Sequence, residues 1–191
     1  MTEQEKMEAG LLYDPGSDAK LAKDRAVCKD RCLAYNMTPP SHLEERRELM
    51  KKILGKTGGT FHIESDFWCD YGYNITIGEH FYANHNTVIL DCAKVTFGSH
   101  VLIGPNCGFY TAGHPLDTKR RNQGLEYARP ITVGDNVWIG GGVSVMPGVT
   151  IGSNTVIGSG SVVTKDIPSG VVAVGNPCKV LRTVTEEDMD E

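Results

Sequence analysis

The sequence predicts a mainly β chain, a triangular prism wound from very short parallel strands and capped by helices at its N-terminal end. Three observations carry this expectation. A six-residue rhythm runs from Ile77 onward, with two extra residues before Phe97, glycine leaves the second place in every third unit, and helical spacing of apolar residues is confined to the first 56 positions. The expected organisation is a cap over 1–56 and a prism over 57–191, the latter broken by an excursion at 115–132 and ended by a short tail.

A chain of 191 residues holds one sizeable core and an appendage. Its net charge of -5 leaves no broad basic face, so no nucleic-acid partner is expected. The opening "MTEQEKMEAGLL" lacks the basic-then-apolar order of a signal peptide, and no apolar run approaches bilayer length. A cytoplasmic chain without a membrane partner is therefore expected. Cys28, Cys32, Cys69, Cys92, Cys107 and Cys178 include no CxxC doublet and are expected to be buried or reduced thiols, with neither a disulfide framework nor a zinc site.

Two helices are expected in the cap. Over 17–35, Leu21, Ala22, Ala26, Leu33 and Ala34 form the apolar side, with Ser17 as N-cap and Asn36 as the stop. In "PPSHLEERRELMKKILGKTGG", Ser41 and Glu44 have capping-box spacing, Leu43, Leu49, Met50 and Ile53 recur at helical intervals, and Gly55 supplies the C-terminal stop.

Written in sixes from Val133, the chain reads "VGDNVW IGGGVS VMPGVT IGSNTV IGSGSV VTKDIP"; the same frame fits "IGEHFY ANHNTV ILDCAK" from Ile77 and "FGSHVL IGPNCG FYTAGH" from Phe97. A unit this short suits only a solenoid of short strands and tight corners. The second places run Gly78, Asn84, Leu90; Gly98, Gly104, Tyr110; Gly134, Gly140, Met146; Gly152, Gly158, Thr164. Three units therefore make one coil, and the leading residues stack inward as core columns. Fourth places hold His80, Asn86, Cys92, His100, Asn106, Asn136 and Asn154, and asparagine and histidine tolerate left-handed corner angles. This explains His80 and His100 as turn residues; no metal site is expected, although His80 and His85 have a ligand-like spacing. The pattern resembles the left-handed parallel β-helix of the hexapeptide-repeat acyltransferases, and the left hand is implied by that resemblance alone.

His114 closes "FYTAGH" just before Pro115, at the junction of a rigid scaffold and a loop. An imidazole there suits proton abstraction from a hydroxyl near neutral pH, or else caps the exit turn. In sixes, residues 115–132 would lead with Pro115, Arg121 and Tyr127, poor core residues, so a polar pocket wall is expected, with Glu126 and Tyr127 its contact residues. There is no GxSxG elbow, and Cys92 and Cys107 fall within repeat slots. Direct attack of an acceptor hydroxyl on a thioester is thus expected, with His114 as base. Asn84 occupies a slot where glycine is expected; its amide either serves an oxyanion or a substrate hydroxyl, or is a polar corner. Asp70 and Asp91 are hydroxyl acceptors or solvated carboxylates.

"AGLLYDP", "DYGYNITIG", "FYANHN", "TAGHPLD", "PITVGDNVWIGGGV", "IGSGSVVTKDIP" and "VGNPCKVLR" resemble the maltose and galactoside O-acetyltransferases, nodulation-type enzymes included, over essentially the whole chain. The resemblance implies acetyl-CoA as co-substrate without a metal, a sugar hydroxyl of maltose, glucose or galactoside type as acceptor, and a homotrimer with active sites between prisms. It implies that His114 is the base, that Asn84 holds the transition state, and that Asp14, Asp70, Tyr82 and Asp91 face the sugar. On the coenzyme A side it places Trp138, Gly141, Ser159, Thr164, Lys165, Lys179 and Arg182. Gly141 stands where galactoside enzymes carry serine, which leaves only its backbone to bind. The rival expectations are another small acceptor (serine, an antibiotic or a nucleotide sugar) and a non-catalytic assembly module.

Overall fold

The computed structural model describes residues 1–190, with side chains through 188; Glu191, the last residue of the expected prism and tail, lies outside the described residues. Three parallel sheets form the faces of a prism. The first face stacks Phe61–Ile63, Phe81–Ala83, Leu102–Ile103, Trp138–Ile139, Val156–Ile157 and Val171–Val174, with Lys179–Thr183 added antiparallel at its end. The second stacks Phe67–Cys69, Thr87–Leu90, Gly108–Tyr110, Ser144–Val145 and Val162–Val163. The third stacks Ile75–Thr76, Val95–Phe97, Ile131–Val133 and Thr150–Ile151.

The hexad leaders Ile77, Ala83, Ile89, Phe97, Ile103, Phe109, Val133, Ile139, Val145, Ile151, Ile157 and Val163 are all buried, so the repeat is the core. Phe81, Phe97 and Phe109 pack ring against ring, with centroids 5.2 and 4.9 Å apart. The corner expectation holds at His80, Asn86, His100, Asn106, Asn136 and Asn154, whose φ lies between 53° and 61°. Cys92 is the exception and is absent from the left-handed set. His80 and His100 stack 4.7 Å apart, one coil above the other.

Second-place glycines have a different cause, which is close approach. A Cβ on Gly78 would lie 2.6 Å from the carbonyl carbon of Gly98 in the next coil. Gly78→Ala is therefore expected to lower unfolding free energy by about 1–3 kcal/mol through overpacking, read from urea denaturation; an unchanged midpoint would show that the coils separate freely.

The excursion re-enters earlier than the hexad frame suggests. Ile131 is fully buried and pairs with Val95, so the strand begins in the fifth place of the preceding unit and the chain is back on the prism before Val133. The intervening stretch also has structure of its own. It forms a short helix over Thr118–Asn122, capped by Asp117, and Tyr127–Ala128 pairs antiparallel with Ala112–Gly113.

The cap holds three helices, α1 (Glu3–Glu8), α2 (Ala19–Met37) and α3 (Leu43–Ile53). The capping box belongs to α1, where Thr2 and Glu5 cap each other reciprocally, and not to Ser41 and Glu44: α3 starts after His42 without a side-chain cap. Asp18, not Ser17, caps α2. The buried side of α2 is Leu21, Cys28, Cys32 and Tyr35, whereas Leu33 points to solvent, because the cysteines serve as the small apolar residues. Gly55 is no helix stop; a Cβ there would run into the Tyr73 carbonyl, and Leu54 closes α3. Arg46 of α3 is 3% exposed yet fully engaged, donating to the carbonyls of Tyr35, Thr38 and Ile63 and to Ser65 Oγ, with its guanidinium 4.2 Å from the Tyr35 ring centroid. No helix among the described residues is long and apolar enough to cross a membrane.

Candidate active site

The corner that joins the second face to the third carries His114 and the candidate cleft. Along it, in successive coils, lie Asp70, Cys92, Ala112 and Met146, and the excursion leans back over them. The result is a cleft of about 550 Å³ whose walls include Arg25, Asp70, Cys92, His114, Glu126 and Met146.

Among the described residues, His114 is held by one hydrogen bond. Its Nδ1 lies 3.1 Å from the carbonyl oxygen of Leu125, an acceptor only, so Nδ1 is the donor and, in the neutral imidazole, Nε2 keeps its lone pair. Glu126 Oε1 lies 3.9 Å from that Nε2, where a carboxylate favours a positive charge on the ring. The other carboxylate oxygen, Oε2, accepts a 2.9 Å bond from the Tyr13 hydroxyl. Burial pushes the Tyr13 phenol well above its ordinary range, so it remains a donor. Tyr13 and Glu126 also exchange backbone bonds of 3.0 and 2.9 Å, tying the N-terminal arm to the excursion. A second apolar cluster of Met7, Tyr13, Leu21, Tyr71, Cys92 and Ala128 packs that arm in place.

Tyr13, Arg25 and the Leu125 carbonyl were not expected from the residues alone. The chain brings Tyr13 to Glu126 across 113 positions, a contact with no local periodicity to announce it.

Asp70 lines the cleft; burial raises its carboxyl pKa, and the Cys92 thiol approaches its Oδ2 at 3.6 Å. Burial also pushes the thiols of Cys92 and Cys107 up, which keeps both protonated and poor nucleophiles. Asp91 is fully buried and not turned to a substrate: its carboxylate accepts from the backbone N–H groups of Asp70 (3.0 Å), Tyr71 (2.8 Å) and Asn74 (3.3 Å). It fixes the turn that carries Asp70. Asp14 caps its own turn through Gly16 N and lies outside the cleft walls.

Burial raises the Asp91 pKa from 3.8 to about 6. Because the folded value exceeds the unfolded one, its stabilising contribution is full below pH 3.8 and fades as pH rises through about 6. The stability of the parent relative to Asp91→Asn, which cannot titrate, should thus fall by about 2 kcal/mol between pH 4 and 7. Urea melts of both proteins across that range check this, and a pH-independent difference would refute it.

Asn84 and Tyr82 lie elsewhere, on the first face and the corner that leads from it to the second. Asn84 Oδ1 accepts from His85 N at 2.8 Å, which leaves Nδ2 as the amide's outward donor. Gly141 and Ser159 share that corner, where Gly160 N donates to the Gly141 carbonyl, and exposed Trp138 lies on the first face. Thr164 and Lys165 are on the His114 corner, one coil beyond Met146. Lys179 and Arg182 are on the terminal antiparallel strand, where Arg182 pairs with Asp188 at 2.6 Å. One chain therefore divides the expected site residues between two corners.

The profile of the maltose acetyltransferase hexapeptide capping motif matches residues 6–58, and that of the bacterial transferase hexapeptide, in six repeats, matches 130–165. A maltose O-acetyltransferase from Clostridium difficile 630 superposes with a TM-score of 0.95 at 48% identity, covering 97% of this chain and 99% of that one. The chain belongs to the maltose and galactoside acetyltransferase family. Within this hexapeptide-repeat family, a galactoside acetyltransferase in complex with coenzyme A superposes at 0.96 with 43% identity, covering 99% of this chain and 94% of that one. A hexapeptide-repeat acetyltransferase of Vibrio cholerae O1 biovar eltor, complexed with acetyl-coenzyme A, matches at 0.87 with 37% identity over 97% and 100%. The prism is thus the left-handed β-helix of these acetyltransferases, and the chain is an acyltransferase.

Proposed function

We propose that this acetyltransferase moves the acetyl group of acetyl-coenzyme A to a hydroxyl of a sugar of maltose, glucose or galactoside type, with His114 as general base. The single observation that carries the reading is the His114 contact: its Nδ1 lies 3.1 Å from the Leu125 carbonyl, which leaves Nε2 of the neutral imidazole as the base beside Glu126 in the cleft that Asp70 lines. The thioester supplies an activated carbonyl. His114 Nε2 takes the acceptor hydroxyl's proton as the oxygen attacks, and the imidazolium, beside Glu126, returns it to the departing sulfur. Asp70 and Glu126 are the cleft's acceptors for neighbouring sugar hydroxyls.

Coenzyme A fits the exposed cations Lys165 and Lys179, with Arg182 sharing its donors between Asp188 and a phosphate, and Trp138 offering a flat apolar surface. Asn84 Nδ2 is the donor for the oxyanion that develops on the transferred carbonyl. Because His114 and Asn84 sit on different corners, the complete site forms where one prism's His114 corner meets the Asn84 corner of another copy, in a homotrimer.

A thiol-release assay with acetyl-coenzyme A and a panel of sugars, serine, amines and nucleotide sugars tests the acceptor class: sugar-dependent release supports it, and release with amines only overturns it. Subunit mixing tests the shared site. Inactive His114→Ala and Asn84→Ala chains, unfolded and reassembled together at equal amounts, should recover about a quarter of parental activity if each site draws on two copies. No recovery would place both residues in one chain's site.

A further inference from the structure

Where the cap meets the prism, three thiols converge. Cys28 and Cys32 stand one turn apart on α2, hence on one side of that helix, and Cys69 ends the first strand of the second face. The Sγ atoms of Cys28 and Cys69 are 3.4 Å apart, those of Cys32 and Cys69 are 3.7 Å apart, and all three lie within 4.8 Å of one another. Thiolates bound to one ion at about 2.3 Å are separated by about 3.8–4.0 Å, so small side-chain rotations bring this set around a common centre. The three cysteines are 2%, 0% and 3% exposed.

We propose that Cys28, Cys32 and Cys69 form a three-thiolate site for one soft monovalent d10 ion of the Cu(I) class. The donor set selects the ion: among the described residues no imidazole or carboxylate completes the group, and thiolates alone favour soft metals. Burial selects the coordination number. Zinc needs a fourth ligand, and sulfurs this deeply covered hold no standing contact with bulk water to supply one, whereas Cu(I) is satisfied by three. Binding breaks S–H bonds and forms Cu–S bonds; the displaced protons go to solvent and no electron changes hands. The site serves the fold and not acetyl transfer, since it joins α2 to the second face at the end opposite the coenzyme A residues. A disulfide is the poorer use of this cluster, because redox-sensing thiols are accessible ones and three sulfurs converge where a disulfide needs two.

The test uses the full chain, purified reduced and without oxygen, titrated with Cu(I) as its acetonitrile complex against the chelator bicinchoninate. One Cu(I) per chain is expected. Cys32→Ser should weaken retention by more than the about 10–100-fold that loss of an outer partner costs, while Cys107→Ser, which alters a buried thiol outside the cluster, should bind as the parent does. X-ray absorption of the copper-loaded parent chain should show three sulfur neighbours and no nitrogen or oxygen; this decides the matter even if the Cys32 variant fails to fold. Copper lost to the chelator, two sulfurs in place of three, equal weakening in Cys107→Ser, stronger retention of Zn²⁺ than of Cu(I), or spontaneous formation of a Cys28–Cys69 disulfide would each overturn the proposal.

Discussion

His114→Ala is expected to transfer acetyl groups about 10²–10⁴-fold more slowly than the parent chain, the usual contribution of a positioned general base. The loss should appear in kcat and leave stability unchanged, because the side chain is 54% exposed and makes one hydrogen bond to the protein, to Leu125. KM for acetyl-coenzyme A should also hold, since Lys165, Lys179 and Arg182 lie on other coils and strands. Thiol-release kinetics beside a thermal melt separate these outcomes. A variant that keeps the parental rate would remove the proposed mechanism, and a parent with no rate on any sugar would remove the proposed acceptor class.

The prism is legible because its physics repeats. A core column needs an apolar residue every sixth position, and a corner needs glycine, asparagine or histidine every sixth, so twelve buried leaders and six left-handed corners announce themselves in one dimension. Ile131 escapes that reading because the strand starts two residues before its leader, inside a stretch whose phase looks broken. The cap is less legible for a related reason. Its apolar face is built from Cys28, Cys32 and Tyr35, residues that carry little weight in a hydrophobic pattern, and Arg46 is buried against every compositional expectation.

The candidate site divides in the same way. His114 can be singled out because it stands at the edge of the excursion and Glu126 because it lies within it, and the structure brings both into one cleft with Asp70. Tyr13 cannot, since nothing local in the sequence reports a hydroxyl that reaches Glu126 from the far end of the chain. Asp91 shows the opposite hazard: a carboxylate beside a pocket in sequence is, in space, a buried acceptor for three backbone N–H groups. Where the residues of one site lie on two corners of a prism, no single-chain pattern can show that they belong together.

The largest stability effect is expected at Arg46. Arg46→Met keeps much of the stem's packing but removes the guanidinium that serves Tyr35, Thr38, Ile63 and Ser65. Two of those acceptors have another donor: the Thr38 N–H reaches the Tyr35 carbonyl, and the Tyr35 hydroxyl reaches that of Ile63. The Thr38 carbonyl and Ser65 Oγ have Arg46 alone as donor among the hydrogen bonds described, so their desolvation, with loss of the ring contact, should cost about 2–4 kcal/mol. Arg46→Lys should fall between, because one ammonium cannot span four acceptors in two directions. Urea melts give the comparison, and a loss below about 1 kcal/mol in the methionine variant would mean that burying the cation costs nearly as much as its bonds return. Since α2 and α3 cover the first coil of the prism, the unfolding lost here should begin at the cap, with hydrogen exchange rising first at Phe61–Ile63 while the His114 corner stays protected.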